Sequence, residues 1–210
     1  MATYDRKRQL TSRTRLETFS DGVIAISITL TVLSIDIPHG LPTSRVGQAI
    51  IDLIPDVLVY LLSFVVIGGF WTSHHYTLDR IEWVDRRIIL LNLGFLACIS
   101  LVPLVTAIVN EYPVTPSVMT YATVMTLAAV SQLGIWLHAE RHGLVVEGVS
   151  DEERRDRPSR LLTLTGVFAA SIPVALASTE AAQLMWLLIL LRLPLVRLGG
   201  LRRRRETAGK

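Results

Sequence analysis

The chain has 210 residues, half of them hydrophobic, with a formal net charge of +3 and a positive mean hydropathy of +0.46. Cys98 is the only cysteine, which excludes an intramolecular disulfide and a cysteine-held metal cluster. This composition suits either one soluble domain or a compact helical membrane protein, and the distribution of the apolar residues decides between them.

Apolar runs near 16–37, 55–76, 88–109, 117–138, 160–178 and 181–197 each approach the ~20 residues that carry a helix across a bilayer. They predict an all-α integral membrane protein with six transmembrane helices, in a single domain over residues 1–200 with a basic tail over 201–210. Only short loops remain, with no room for a soluble enzyme domain. The first run is too long for a secretory signal, lacks a small-residue cleavage site and is followed by further apolar segments, so it is expected to stay as a helix.

That first run, "TFSDGVIAISITLTVLSI" over 18–35, carries Ser20, Asp21 and Gly22 near its start. At about 100° per residue, Leu30, Leu33 and Ile37 fall within about 40° of Ile26, as do Gly22, Phe19 and Arg15. One face is therefore a continuous apolar stripe with Arg15 at its foot. Asp21 lies about 140° away, with Ser27, Thr31 and Ser34 also off the stripe. Thr29 sits about 60° to one side, placed to offer an oxygen near the stripe. An ionised carboxylate in a span costs ~2.5–3.5 kcal/mol or more, so Asp21 is expected to face protein or water and to find donors there.

The second run ends in "GGFWTSHHYTLDR", which supplies Trp71, His74 and His75 at the depth of Asp21. Trp71 and His75 are four apart and share a helix face. A network of Ser20 and Asp21 with Trp71 and one histidine would fix the first helix to the second, and Gly22 would allow close approach. The histidine pair is open to three readings: a metal ligand, a proton-sensitive group, or a structural hydrogen-bonded histidine. Adjacent histidines cannot both point at one site from a regular helix, and the glutamate of a zinc-protease motif is missing. In the third run, Cys98 reads as a packed small side chain.

Between the fourth and fifth runs, "VVEGVSDEERRDRPSR" over 145–160 reads as a solvated, partly helical linker, with Pro158 suited to a helix start. Every Lys and Arg except Arg45 falls at the termini or in the second–third and fourth–fifth connections. Basic residues are retained on the cytoplasmic side, so both termini are expected inside, in a multi-pass cell-membrane protein. Arg202 to Arg205 beside the last span read as a topology anchor that attracts anionic lipid, with no nucleic-acid partner implied. No P-loop, zinc spacing or short repeat is evident, and no cofactor is called for.

At this point "RLETFSDGVIAISITLTVL", "FWTSHH" and "LNLGFLACISLVPLVTAIV" together resemble the transmembrane protein 175 family of potassium channels, known from endolysosomes and, in a shorter form, from bacteria and archaea. The likeness covers about residues 15–110, while the later spans match mainly in number and length. The resemblance implies a six-helix subunit of a homotetramer, with a central potassium-permeable pore lined by the first helix. It places the constriction at Ile26, followed by Leu30 and Leu33, and ties Arg15, Ser20 and Asp21, beside Phe19, to Trp71 and to His74 or His75. Such a ring of apolar side chains gates by dewetting. There is no Thr-Val-Gly-Tyr-Gly filter, so weak to moderate potassium selectivity is what the resemblance implies, without a carbonyl ring to explain it. Without the resemblance, the stripe reads by default as an ordinary helix–helix seam in a monomeric, non-conducting bundle. A secondary transporter would want polar groups near the midplane beside helix breaks, and Pro103 and Pro173 lack such a cluster. No Ser–His, paired-Asp or metal-ligand arrangement suggests an enzyme.

Overall fold

The computed structural model describes residues 2–36 and 38–187, with side chains from Arg13 onward. Its order is α1 (Ala2–Leu30), a 3-10 turn (Thr31–Ser34), a second 3-10 turn (Thr43–Arg45), α2 (Val46–Asp52), α3 (Ile54–Asp79), α4 (Arg86–Glu111), α5 (Thr115–Arg141) and α6 (Asp151–Val174). Residues 179–187 are again helical. The segment Arg13–Ser34 and helices α3, α4 and α5 are long and apolar enough to cross a membrane. The described chain is thus an all-helical membrane protein.

Local chemistry sets the helix ends. Asp85 caps α4 by accepting the Ile88 N–H at 2.8 Å, and a proline lies in the first turn of both α3 and α5, where its missing N–H costs nothing. Helix α5 closes with Gly143 at φ 64°, and the Leu144 N–H bonds to the Ala139 carbonyl at 2.9 Å, a left-handed cap that glycine adopts without strain. The chain then pairs with the end of α3: Glu82 N–H to Leu144 O at 2.8 Å and Val146 N–H to Arg80 O at 2.9 Å.

Three boundaries differ from expectation. The first helix does not run unbroken to residue 37: it tightens at Leu30 into the 3-10 turn Thr31–Ser34 and then extends. Pro38 disfavours helix before it, the Ser34 hydroxyl caps back to Thr31 O at 2.8 Å, and Asn110 donates to Ser34 O at 3.3 Å. Ile37 itself lies outside the described residues. Helix α6 starts at Asp151 rather than at Pro158, which lies inside it. Ser150 accepts the Glu153 N–H at 3.2 Å, and three acids in the first turn suit the positive end of the helix dipole. The apolar stretch of α6 begins only after Arg160 and ends at Val174, shorter than the expected span 160–178. Of the run at 181–197 only the part to 187 is described, and Arg202 to Arg205, with the rest of the tail, lies outside the described residues.

The core is one apolar cluster shared by α1, α3, α4, α5 and α6, including Ile24, Ile67, Phe70, Phe95, Ile99, Met125 and Phe168. A smaller one around Leu78, Ile81, Ile88, Trp136 and Leu161 seals the end where α3 and α5 finish. Phe70 lies between Phe95 and Phe168, with ring centroids 6.2 and 6.0 Å away. Some buried polar groups are paired across helices, as between the Ser63 and Thr106 hydroxyls at 3.1 Å and from the Gln132 amide to the Phe70 carbonyl at 2.9 Å. Such pairs spare these groups the cost of standing unbonded in an apolar interior.

Candidate functional site: the first helix and its anchors

Helix α1 presents two faces of opposite chemistry. Ser20, Ile24, Ser27 and Thr31 are buried against the bundle, at the spacing of one helical face. Their hydroxyls are satisfied within α1, each donating to the carbonyl four residues back: Ser20 to Leu16 at 2.8 Å, Ser27 to Val23 at 2.9 Å and Thr31 to Ser27 at 3.0 Å. Small side chains let α4 approach, and Asn92 of α4 donates to the Ser20 hydroxyl at 3.0 Å. The opposite face carries Phe19, Ile26, Leu30 and Leu33, exposed by 52, 61, 45 and 75%. Residues i and i+3 eclipse in a 3-10 turn, so Leu33 stays in line with Leu30 although the α-helix has ended.

Arg15, Gly22 and Thr29 are exposed too. A Cβ at Gly22 would meet nothing within 4 Å, so this glycine does not bring α1 close to α3, and the expected close approach is carried by Ser20 against α4. The Thr29 hydroxyl bonds to its own helix, to Ala25 O at 3.0 Å and Ile26 O at 2.9 Å. Arg15 forms no ion pair among the described residues, whereas Arg13, not singled out from the sequence, reaches both Glu17 at 2.8 Å and Asp79 of α3 at 3.0 Å.

Of the expected partners, Trp71 meets Asp21, its indole N–H donating to the carboxylate at 2.9 Å. His75 stacks on Trp71 with centroids 5.8 Å apart and lies 3.7 Å from Asp79. His74 turns the other way: it is 1% exposed and stacks on Phe95 at 4.5 Å. The two histidines therefore part company, one in the core and one beside Trp71. Neither is bonded to Asp21.

A second polar cluster fixes the far side of α3. Buried Arg157 of α6 donates to the Ser73 carbonyl and hydroxyl and to the Thr77 hydroxyl. Arg80 and Arg157 both lie over the Tyr76 ring, at 4.3 and 4.9 Å. Tyr76 donates to Glu153 at 2.7 Å, and Arg80 reaches the same oxygen at 3.4 Å. The phenol and then the Arg80 guanidinium hold the Glu153 carboxyl below its ordinary value of 4.5, and burial holds the Arg157 pKa down at about 10. In sequence this stretch looks like a solvated linker. Its only local clue was the Ser150–Glu153 pairing, which has capping-box spacing.

A bundle whose first helix keeps a small, hydroxyl-bearing face inside and a bulky apolar face outside, with four helices long and apolar enough to cross a membrane, defines a helical membrane protein. Comparison with known proteins gives the family. Residues 15–103 match the family model described as endosomal/lysosomal potassium channel TMEM175. A potassium channel of Streptomyces collinus is 32% identical over 172 residues, 80% of this chain and 83% of that one, and a potassium channel of Chamaesiphon minutus is 34% identical over 131 residues, 60% of this chain and 64% of that one. The chain belongs to the TMEM175 family. In fold it is similar to the crystal structure of a lysosomal potassium-selective channel TMEM175 homolog from Chamaesiphon minutus, with a TM-score of 0.73 at 24% identity over 87% of this chain and 98% of that one. The Streptomyces alignment extends well past residue 110, so the likeness includes later helices that sequence motifs alone did not match.

Proposed function

We propose that this chain is one subunit of a potassium-permeable cation channel, a homotetramer in the cell membrane with α1 of each subunit lining a central pore. The observation that carries this is the exposed stripe of Ile26, Leu30 and Leu33 on the face of α1 opposite its buried hydroxyls. Symmetry-related copies would stack these residues as apolar rings. A narrow ring dewets and stops ions, and a slightly wider one passes hydrated or partly hydrated cations, so small changes in helix tilt switch conduction. Ile26 is the first ring, with Thr29 beside it as the nearest side-chain oxygen. The protein works as a conduit and not as a catalyst, and potassium is its permeant ion with no cofactor.

Six spans per subunit with both termini inside are supported by the four long apolar helices, by α6 with the helical residues 179–187, and by the one-sided distribution of Lys and Arg. The anchors of α1, namely Ser20 on Asn92 and Asp21 on Trp71, hold the pore helix to its own bundle; Phe19 and Arg15 stand on the side turned to a neighbour.

The test is a planar-bilayer recording of the purified protein under a potassium/sodium gradient. Discrete, ohmic, potassium-favouring steps are expected. Silence from well-folded oligomers would return the stripe to a packing seam, and saturable substrate-coupled uptake would favour a transporter.

A further inference from the structure

The contacts that join the foot of α1 to the end of α3 form two columns. Arg13, Glu17 and Asp21 stand four residues apart on α1, and Trp71, His75 and Asp79 do so on α3, a spacing that puts each set on one helix face. Asp21 meets Trp71 at 2.9 Å and Arg13 meets Asp79 at 3.0 Å, so the columns run in opposite directions. Arg13 divides its guanidinium between two acids: Nε donates to Glu17 at 2.8 Å and Nη2 to Asp79 at 3.0 Å. The other Asp79 oxygen lies 3.7 Å from His75 Nε2. One guanidinium thus bridges Glu17 of its own helix and Asp79 of α3.

We infer that Arg13 is a positioning residue for the gate: it latches the foot of α1 to α3 and so draws the Ile26–Leu30–Leu33 stripe back from the axis of the assembly, an inference that rests on the pore reading of α1. With Arg13 gone, Glu17 on α1 and Asp79 on α3 lose the guanidinium they share, and the two like charges left on either side of the gap repel. The bundle packs against the Ser20–Ile24–Ser27–Thr31 face of α1, so the foot yields toward the open side, where the stripe lies. Apolar rings that meet there exclude water and close.

The latch makes an asymmetric demand on substitutions that ordinary loss of a contact does not. Arg13→Gln leaves two carboxylates, Glu17 and Asp79, across the gap without their shared cation, whereas Asp79→Asn leaves the Arg13–Glu17 pair within α1 intact and relieves the charge across the gap. Arg13→Gln is therefore the more damaging change, and adding Asp79→Asn to it repairs part of the damage. Side-chain exposures of 20 and 42% for the Arg13–Asp79 pair also make the latch sensitive to screening by salt.

The experiment uses the full chain. Open probability is read in planar bilayers, and in parallel a spin-label distance is read between Thr18→Cys and Arg86→Cys in a Cys98→Ser background. For Arg13→Gln, a fall in open probability of about two- to fivefold, the scale of one exposed ion-pair network, is expected with a longer label distance. Arg13→Lys stays near the parent, Asp79→Asn changes less than Arg13→Gln, and Arg13→Gln/Asp79→Asn recovers part of the loss while unitary conductance is constant throughout. An unchanged or higher open probability in Arg13→Gln, an unchanged label distance, or a double variant worse than Arg13→Gln overturns the latch. If Arg13→Gln fails to assemble, raising KCl from about 0.1 to 1 M on the labelled parent must lengthen the distance by screening the pair, and invariance overturns the proposal. A silent parent whose label distance still responds to Arg13→Gln upholds the latch between helices and rejects the pore instead.

Discussion

The two faces of α1 differ in every property that membrane packing can use. The inner face sets small hydroxyl residues beside Ile24, with Ser20, Ser27 and Thr31 turned to the bundle and their hydroxyls bonded to their own helix. The outer face is broad and apolar, with Ile26, Leu30 and Leu33 unpacked within the subunit. A soluble helix would be built the other way round. Inside lipid, apolar side chains gain nothing special by turning inward, and close backbone approach through small residues holds helices together. The same arrangement leaves the large apolar side chains of α1 on its outer face.

Several experiments break or sharpen this contrast. Ser20→Leu should have the largest effect, since it forces a bulky side chain into the buried face and strips Asn92 of its acceptor. A destabilisation of about 2–5 kcal/mol is expected, read as a lowered melting temperature and loss of intact oligomer. Asp21→Ala removes the hydrogen bond from Trp71 at the border between the faces. A cost of about 1 kcal/mol should appear as reduced oligomer yield on size-exclusion chromatography, with ion selectivity unchanged in whatever assembles. Ile26→Asn on the outer face should leave stability within about 0.5 kcal/mol of the parent and act on current alone, raising leak and reducing ion discrimination. Unchanged current from normally assembled Ile26→Asn would remove that residue from the pore.

The smallest effect belongs to the other side of α3, away from α1. Glu153 has a folded pKa depressed below 4.5 by Tyr76 and then Arg80, so its contribution to stability is fully present above pH 4.5 and is lost as pH falls through the lower, folded value. Glu153 is solvent-accessible, and the contribution is accordingly small. Thermal melts of Glu153→Gln against the parent should differ at neutral pH and converge in acid. Divergence in acid would contradict the assignment.

Much of α1 was legible because a 3.6-residue period sorts its residues without knowledge of any partner. The stripe from Phe19 to Leu33 and the off-stripe position of Asp21 follow from spacing alone, and Trp71 followed from residue type and depth. Choosing between His74 and His75 did not, because adjacent positions lie about 100° apart on a helix and only the packing of α4 turns one of them onto Phe95. Arg13 and Asp79 were missed because charges at helix ends look like a solvated surface until the facing helix is known. The start of α6 was missed for a related reason: the dense charge of 150–160 masks a helix whose Tyr76 and Ser73 partners lie far away in sequence. The end of the first helix was misjudged where Pro38 and Asn110 override a favourable apolar pattern.

One feature of the inner face reaches beyond packing. Ser20, Ser27 and Thr31 each offer a hydroxyl proton to a carbonyl that already serves the helix backbone, and such sharing loosens the ladder on one side and favours a bend. The Thr18 and Thr29 hydroxyls do the same from the exposed side, so the softening is distributed around the helix. A ladder shared in this way flexes more readily than an unshared one, so a push at the foot of α1 is taken up along its length rather than passed on as by a stiff rod.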